Sequence, residues 1–450
     1  MPRIPGSFVN MMTQEPHFDI GAFQKVIETD SPTSIRVNLR KNYTCPGSEI
    51  VPWCSHSCYL DERPIFTLDP LFHAGCYYVQ EASSMFLWQV LNHVLDGITD
   101  PQILDMSAAP GGKTTLIMDY LRDKGTLVAN EVIQSRASIL YQNTTKWSGT
   151  NVIVTSADPS KFNGIESTFD LLVIDAPCSG EGMWRKDTDA INEWSPDHVE
   201  LCSARQKRII SDSISLVKPG GYLFYSTCTY NSKENIDNVN WMMQEYNLES
   251  VELPLNQDWD VQIISKNKGV GYQFLPYKLK GEGFFCSVLR KPNSNDNVKK
   301  ASLGKISLAT KEDKKLISEW VSNQAMDLKI IKSPKDDCYL TNECSMAMFE
   351  KLQAKIRVLG TGIKIGRINK KLFLPDHALA LSTMVSDDIP KIELSKDDSL
   401  DYLRKQLDGS LSSQKSWNLV QYQGYGLGWI KQLDHRINNY LPQEYMIKHL

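Results

Sequence analysis

The chain has 450 residues, 41% hydrophobic and 23% charged, with 49 Lys/Arg against 53 Asp/Glu. Those proportions exclude a mainly disordered chain, collagen or a coiled-coil rod, and the length implies two or three domains. The net charge of −4 argues weakly against a nucleic-acid partner. It is an average, however: residues 1–290 hold 24 basic and 34 acidic side chains, residues 291–450 hold 25 and 19.

Residues 1–90 mix Pro and aromatic residues without a long periodic helix, and carry one alternating strand at Ser34 to Arg40. Neither a secretory signal at Met1 to Asn10 nor a run near the ~18 apolar residues of a membrane span is present. The ten cysteines have no framework spacing and are expected as reduced thiols of a cytoplasmic protein, not as disulfides. Cys54, His56 and Cys58 form a single cluster with no second one to complete a zinc site, so no metal is expected.

From Ile103 the pattern becomes regular. Short apolar strands are predicted at 103–106, 126–131, 152–155, 169–175 and 222–226. Helices are predicted between them at 113–121, 135–147 and 197–217, the last ended by Lys218-Pro219-Gly220-Gly221. Continuous apolar strands alternating with helices indicate a doubly wound parallel sheet of the α/β class. A late strand near 284–290 is expected to close it, and the polar segment 293–297 is the best boundary. Beyond lie a helix near 310–323, a basic run from Lys351 to Lys371 without an acid, and a tail rich in Gly and aromatics at 417–445. Read alone, the basic run is a solvated face.

Between the first strand and first helix stands Asp105-Met106-Ser107-Ala108-Ala109-Pro110-Gly111-Gly112-Lys113-Thr114. Ligands dock at such strand ends, and the paired glycines allow close backbone approach. The segment lacks the first glycine of a phosphate-binding GxxxxGK[ST] loop and is not GxGxxG. Glu131, Asp158 and Asp175 end or follow the next three strands. Carboxylates there suit a ligand with a ribose diol, an amino-bearing base and a cation, a description that S-adenosyl-L-methionine meets.

Cys178 follows the fourth strand in Asp175-Ala176-Pro177-Cys178-Ser179-Gly180-Glu181-Gly182, and Cys228 follows the fifth in Ser226-Thr227-Cys228-Thr229-Tyr230. Most cysteines are small buried hydrophobes. Two thiols at neighbouring strand ends allow more. A thiolate adding to C6 of a pyrimidine makes C5 nucleophilic enough to take a methyl group from a sulfonium. A second group then helps remove the C5 proton and release the thiol, and Asp175 can bind the base edge.

DMSAAPGGKT, DAPCSGEG and STCTYNSKEN, in that order, resemble the RNA (cytosine-5) methyltransferases over most of residues 20–290. Tyr77 to Met85 and Gly281 to Phe285 resemble further segments of that family. The basic C-terminal half, with Gln421 to Trp429, resembles the bacterial ribosomal RNA small subunit methyltransferase F branch. The resemblance implies a Rossmann-like doubly wound methyltransferase sheet with a small α+β N-terminal region and a β-rich PUA-like C-terminal domain. It divides the chain into an RNA-recognition-like region (1–90), a catalytic domain (91–292), an intermediate domain (300–385) and a PUA-like domain (386–450).

The same resemblance implies roles. Ser107, Ala108, Ala109, Pro110, Gly111, Gly112 and Lys113 bind the cofactor, Glu131 the ribose and Asp158 the adenine side. Asp175 lies near methyl donor and base, Cys228 is the nucleophile, and Cys178 assists release. Trp184-Arg185-Lys186 either touches RNA or is plain surface. Where the family often has Pro-His, this chain has Pro276-Tyr277, so that histidine's role does not carry over.

A stacked cytosine must leave its stack to react, so RNA is expected along a basic surface, which turns the run at 351–371 into a candidate RNA face. The expected activity is cytosine C5 methylation of RNA, foremost 16S ribosomal RNA, free or within the small subunit, by a monomer. Transfer RNA as substrate and a non-catalytic RNA-binding assembly factor are the alternatives. DNA is disfavoured because DNA enzymes use the Pro-Cys thiol with a Glu-Asn-Val element, which does not fit here.

Overall fold

The computed structural model describes residues 4–293, 303–408, 411, 416–434 and 436–448. Its largest sheet is numbered here along the chain. β1 (Gln102–Asp105), β2 (Thr126–Asn130), β3 (Val152–Thr155), β4 (Phe169–Asp175) and β5 (Val217–Thr227) are its parallel part. β6 (Gln262–Lys266), β7 (Gly269–Phe274), β8 (Phe284–Arg290) and β9 (Val358–Thr361) are antiparallel additions, in the order β6-β7-β8-β5-β4-β1-β2-β3-β9. The strands form because their apolar runs are buried on both faces. Ile103, Leu127, Leu171 and Val173 enter one core, while Leu104, Val128, Leu172 and Ile174 enter the other. Each such side chain contributes roughly 1.5–3 kcal/mol by leaving water.

Helices α1 (Gly112–Leu121) and α2 (Gln134–Trp147) follow β1 and β2, and α3 (Pro196–Ser213) leads towards β5. Ser195 caps α3, its hydroxyl accepting from the His198 N–H at 3.1 Å, and Pro196 stands in the first turn. The chain turns from β1 towards β2 but crosses back after β3 to place β4 on β1's other side. The crevice at that reversal opens at the carboxyl ends of β1 and β4.

Three sequence expectations need correction. The sheet is not closed by β8: β7 and β6 continue it, and the segment after the polar boundary returns as β9, pairing Val358 with Thr155 and Thr361 with Ile153. Lys218 to Gly221 does not separate helix from strand. It is a bulge inside β5, because Phe169 faces Val217 while Leu171 faces Tyr222, and Gly220 takes a φ of +78° that other residues avoid. The cysteines are not all free. Cys45 and Cys58 form a disulfide, the chain before Glu49–Val51 folding back until their Cα atoms are 6.2 Å apart.

The N-terminal region is an antiparallel sheet of Thr33–Val37, Glu49–Val51, Cys54–Leu60 and Tyr77–Val79. It is bolted to the large sheet by Arg36, fully buried, whose guanidinium pairs with Asp119 of α1, donates to Gln80 at 2.9 Å and lies over Trp147. A buried charge left without its partner costs about 3–5 kcal/mol. The C-terminal half holds two more sheets, a five-stranded one built on Asp337–Thr341 and Ile363–Asn369 and a four-stranded one built on Trp417–Tyr422 and Tyr425–Gln432. Ile365, Leu379, Leu419 and Trp429 make one core between them. Val420 and Leu427 also pack against Ile35 and Tyr77, so the chain's first and last sheets touch.

Candidate active site

The strand ends bring the two thiols together. β4 and β5 are neighbours, Asp175 lying opposite Ser226, and the loops that follow carry Cys178 and Cys228 with sulfurs 2.9 Å apart. Both are free thiols, half-buried. The Cys228 N–H points at the Cys178 sulfur at 3.3 Å. Contact with Cys228, then burial, pushes the Cys178 thiol well above its ordinary range.

Two buried carboxylates lock these loops. Glu181 accepts from the backbone N–H of Tyr230 (2.7 Å) and Asn231 (3.2 Å), the Asn231 amide (2.8 Å), the Trp194 indole (2.9 Å) and the Thr229 hydroxyl. Glu234 accepts from the Ser179 N–H (3.1 Å) and hydroxyl, the Asn231 amide (2.9 Å) and the Gln206 amide (2.7 Å). Burial, then the nearby Glu181, raises Glu234 to about 7. The Gly182 N–H also donates to the Cys228 carbonyl at 2.8 Å. Sequence reading missed both roles although Glu181 and Glu234 stand inside the quoted motifs. The available signal was a glutamate in each of two loops that must meet.

The Gly-rich turn sits beside them. Asp105 is buried, its Oδ2 accepting from Thr114 at 2.7 Å and its Oδ1 without a protein partner, and burial pushes it up to about 7. Gly111 takes a φ of +119°, and a Cβ on Gly112 would meet nothing nearer than 3.6 Å, leaving a backbone cradle. Ser107 is half-buried, Ala108 and Ala109 are buried, and Pro110 is exposed. Lys113 neither caps the turn nor points to solvent: its ammonium pairs with Asp175 at 2.8 Å and lies 5.0 Å from the Phe284 ring centre. Burial alone would depress this lysine, but Asp175, with Asp105 and Cys228 nearby, holds it above its usual value. The other Asp175 oxygen accepts from Ser226 at 2.7 Å.

Glu131 and Asp158 lie further along the same edge. Glu131 is buried, takes the Ile133 N–H at 3.0 Å and faces Arg136 at 3.4 Å. Asp158 caps the turn Pro159–Phe162 through Ser160 and faces Arg208 at 3.4 Å. Asn130 joins the turn to this edge, accepting from the Ala108 N–H through its carbonyl and donating to the Ala157 carbonyl at 2.9 Å. The Gly-rich turn, Glu131, Asp158, Asp175 and the two thiols thus all end or follow the carboxyl ends of β1 to β5, and the open backbone at Gly112, the acids and the unpartnered Asp105 oxygen are groups that a nucleoside-bearing cation can use.

Two candidate RNA contacts change meaning. Trp184 is buried, 4.5 Å from Phe8, and Arg185 is spent on Glu282 at 3.0 Å, so neither is surface; of the three, Lys186 alone is exposed. In the basic run, Lys364 pairs with Asp337 and Asp376, and Arg367 with Asp337. Tyr277, in place of the family's histidine, accepts the Asp19 N–H at 2.9 Å and packs on Phe18.

Doubly wound sheets with ligand crevices at their strand ends host many chemistries, so the class of this one is read from its relatives. A methyltransferase homologue from Pyrococcus horikoshii superposes on 64% of this chain and 99% of its own, with a TM-score of 0.51 at 24% identity. Residues 92–290 match the family described as 16S rRNA methyltransferase RsmB/F, residues 4–82 the N-terminal domain of 16S rRNA methyltransferase RsmF, and residues 389–447 the methyltransferase RsmF PUA domain. Ribosomal RNA small subunit methyltransferase F of Aliivibrio fischeri is 30% identical over 98% of this chain and 97% of its own length, and that of Shewanella loihica 28% over 99% and 96%. The chain belongs to the ribosomal RNA small subunit methyltransferase F family.

Proposed function

We propose that this protein methylates C5 of a cytosine in 16S ribosomal RNA, using S-adenosyl-L-methionine and a covalent bond between Cys228 and C6 of the base. The observation that carries the reading is the 2.9 Å contact of the Cys178 and Cys228 sulfurs beside the Lys113–Asp175 pair. Ser107 to Lys113 with Glu131 and Asp158 would hold the cofactor, which would supply a methyl group on a cationic sulfur.

Cys228 attacks through its sulfur as the thiolate, the form in which a cysteine is nucleophilic. Its electron pair forms the S–C6 bond, and the displaced π electrons make C5 nucleophilic toward the methyl group that a bound sulfonium cofactor would supply, the S–CH3 pair returning to that sulfur. Asp175, held by Lys113 and Ser226, is placed to accept from the amino edge of the base, and the Lys113 ammonium beside it meets the negative charge that builds. A base, water or the Cys178 sulfur, then takes the C5 proton, the C5–H electrons restore the C5–C6 double bond, and the S–C6 bond breaks to return the thiolate. Cys178, its sulfur 2.9 Å from that of Cys228, is placed to assist this release step. No helix among the described residues is long and apolar enough to cross a membrane.

The test is methyl transfer from labelled cofactor to 16S ribosomal RNA. The wild type transfers; Cys228→Ala does not; Cys178→Ala accumulates an RNA adduct that survives denaturant. Full activity of Cys228→Ala would falsify the assignment. Transfer to tRNA alone replaces the substrate, and no transfer to any RNA leaves the assembly-factor reading.

A further inference from the structure

Between the N-terminal sheet and α2 lies a second cavity of about 260 Å³, lined by Arg63, Phe66, Phe72, Tyr77, Asn143 and Lys146 among others. None of Cys178, Cys228, Glu131, Asp158 and Asp175 borders it. Its volume lies just under the range of small-molecule pockets, a size for one base and not for a whole cofactor.

The walls are aromatic. The rings of Phe66, Phe72 and Tyr77 stand 6.0–6.3 Å apart, centre to centre. Two cations stand over them: Arg63 at 5.5 Å from the Phe66 ring and Lys146 at 4.7 Å from the Phe72 ring. Neither cation has an ion pair or a hydrogen bond among the described residues. The acid nearest this wall, Asp69, is spent on the Tyr77 hydroxyl at 2.6 Å and the Leu71 N–H at 3.0 Å. Burial without a counter-charge pushes Lys146 down to about 8. A half-buried cation set on rings, with no acid to answer it, is complementary to an anion attached to a flat ring.

The cavity also touches the active site's own turn. The Asn143 amide donates to the Pro110 carbonyl at 2.8 Å, and the Tyr78 ring lies 3.6 Å from where a Gly112 Cβ would be. A strand whose target base enters the crevice can therefore lay another nucleotide here.

We propose that this cavity is a nucleotide subsite for the RNA substrate, one base packing among Phe66, Phe72 and Tyr77 while a phosphate pairs with Arg63 and Lys146. The inference rests on RNA being the substrate. Stacking of bases on rings is sequence-tolerant, so the subsite holds and orients the strand without reading it.

The experiment measures steady-state methylation and equilibrium binding of 16S ribosomal RNA for the wild type, Phe66→Ala, Lys146→Met and Lys146→Arg. Phe66→Ala and Lys146→Met each raise KM for the RNA about tenfold, with kcat and the cofactor's dissociation constant unchanged. Lys146→Met also lowers the slope of log affinity against log salt by about one, and Lys146→Arg restores it. An RNA KM within twofold of wild type in both Phe66→Ala and Lys146→Met, with the salt slope of Lys146→Met equal to that of the wild type, overturns the subsite. So does a parallel loss of cofactor binding, which marks a packing role. Wild-type protein that binds RNA but transfers no methyl overturns the functional reading instead, and the salt slopes then decide the subsite separately.

Discussion

The strand-end crevice and the basic run at 351–371 both crowd like charges together, and they resolve the crowding in opposite ways. In the crevice, burial pushes Asp105 up to about 7, Asp175 is held by Lys113, and Glu131 faces an exposed Arg136. Those acids are braced but retain oxygens for a ligand. In the basic run, Lys364 pairs with Asp337 and Asp376 and Arg367 with Asp337, while Lys355, Arg357, Lys370 and Lys371 stand exposed, the last two at the turn that joins two strands. A charge count therefore says little about what a surface offers; what matters is which charges the fold has already paired.

The contrast can be broken first at the thiols. Cys228→Ser is expected to lower kcat by about 10³-fold or more while leaving RNA binding intact. Binding that fell with catalysis would mean the crevice, and not the C-terminal half, holds the RNA. Next comes the brace behind the thiols. Glu181→Gln turns an amide toward N–H donors and should lower stability by about 2 kcal/mol, read as a fall in Tm. An unchanged Tm would show that the loops hold their spacing without it.

Glu131→Ala should raise the cofactor's dissociation constant about 10- to 100-fold in calorimetry, with no change in RNA affinity, the loss of hydrogen bonds to a charged group. Glu234 sets a pH test. Its folded-state value near 7 lies above the ordinary carboxyl value, so the folded state binds the proton more tightly. Its contribution is present below about pH 4.5 and is lost as pH rises towards 7. Glu234→Gln should flatten stability over that window by on the order of 1–2 kcal/mol, and an unchanged slope counts against it. The smallest effect belongs to the basic run: Lys370→Ala with Lys371→Ala should weaken RNA binding only a few-fold, with a shallower salt dependence. A loss as large as that for Lys364→Ala with Arg367→Ala would erase the distinction between free and paired cations.

Much of the large sheet was legible because its signals are local. Apolar runs such as Leu171 to Ile174, bounded by Gly turns and acids, read directly as buried parallel strands. The cysteine pair was legible from chemistry, since two thiols after adjacent strands must share a strand-end edge. What escaped the sequence is long-range. Val358 to Thr361 is too short to announce that it pairs with Val152 to Thr155, some two hundred residues earlier. The Lys218 to Gly221 bulge looked like a turn, because a bulge and a turn use the same glycines. Cys45 and Cys58 were read by compartment, whereas folding back of the preceding chain set their distance. Trp184 looked like an exposed contact until the N-terminal helices covered it with Phe8.

That β9 comes from the C-terminal half has a consequence for how the molecule can be cut. An open sheet edge is a template for another chain, and β3 would be such an edge. In this protein the edge is covered by the chain's own later segment, with Met348, Leu352 and Ile356 sealing the layer beneath. A fragment ending at the polar boundary near 293 would expose the β3 backbone and that apolar layer together. It should form aggregates under conditions where the full chain stays dispersed, so the last third of the protein guards the solubility of the first two.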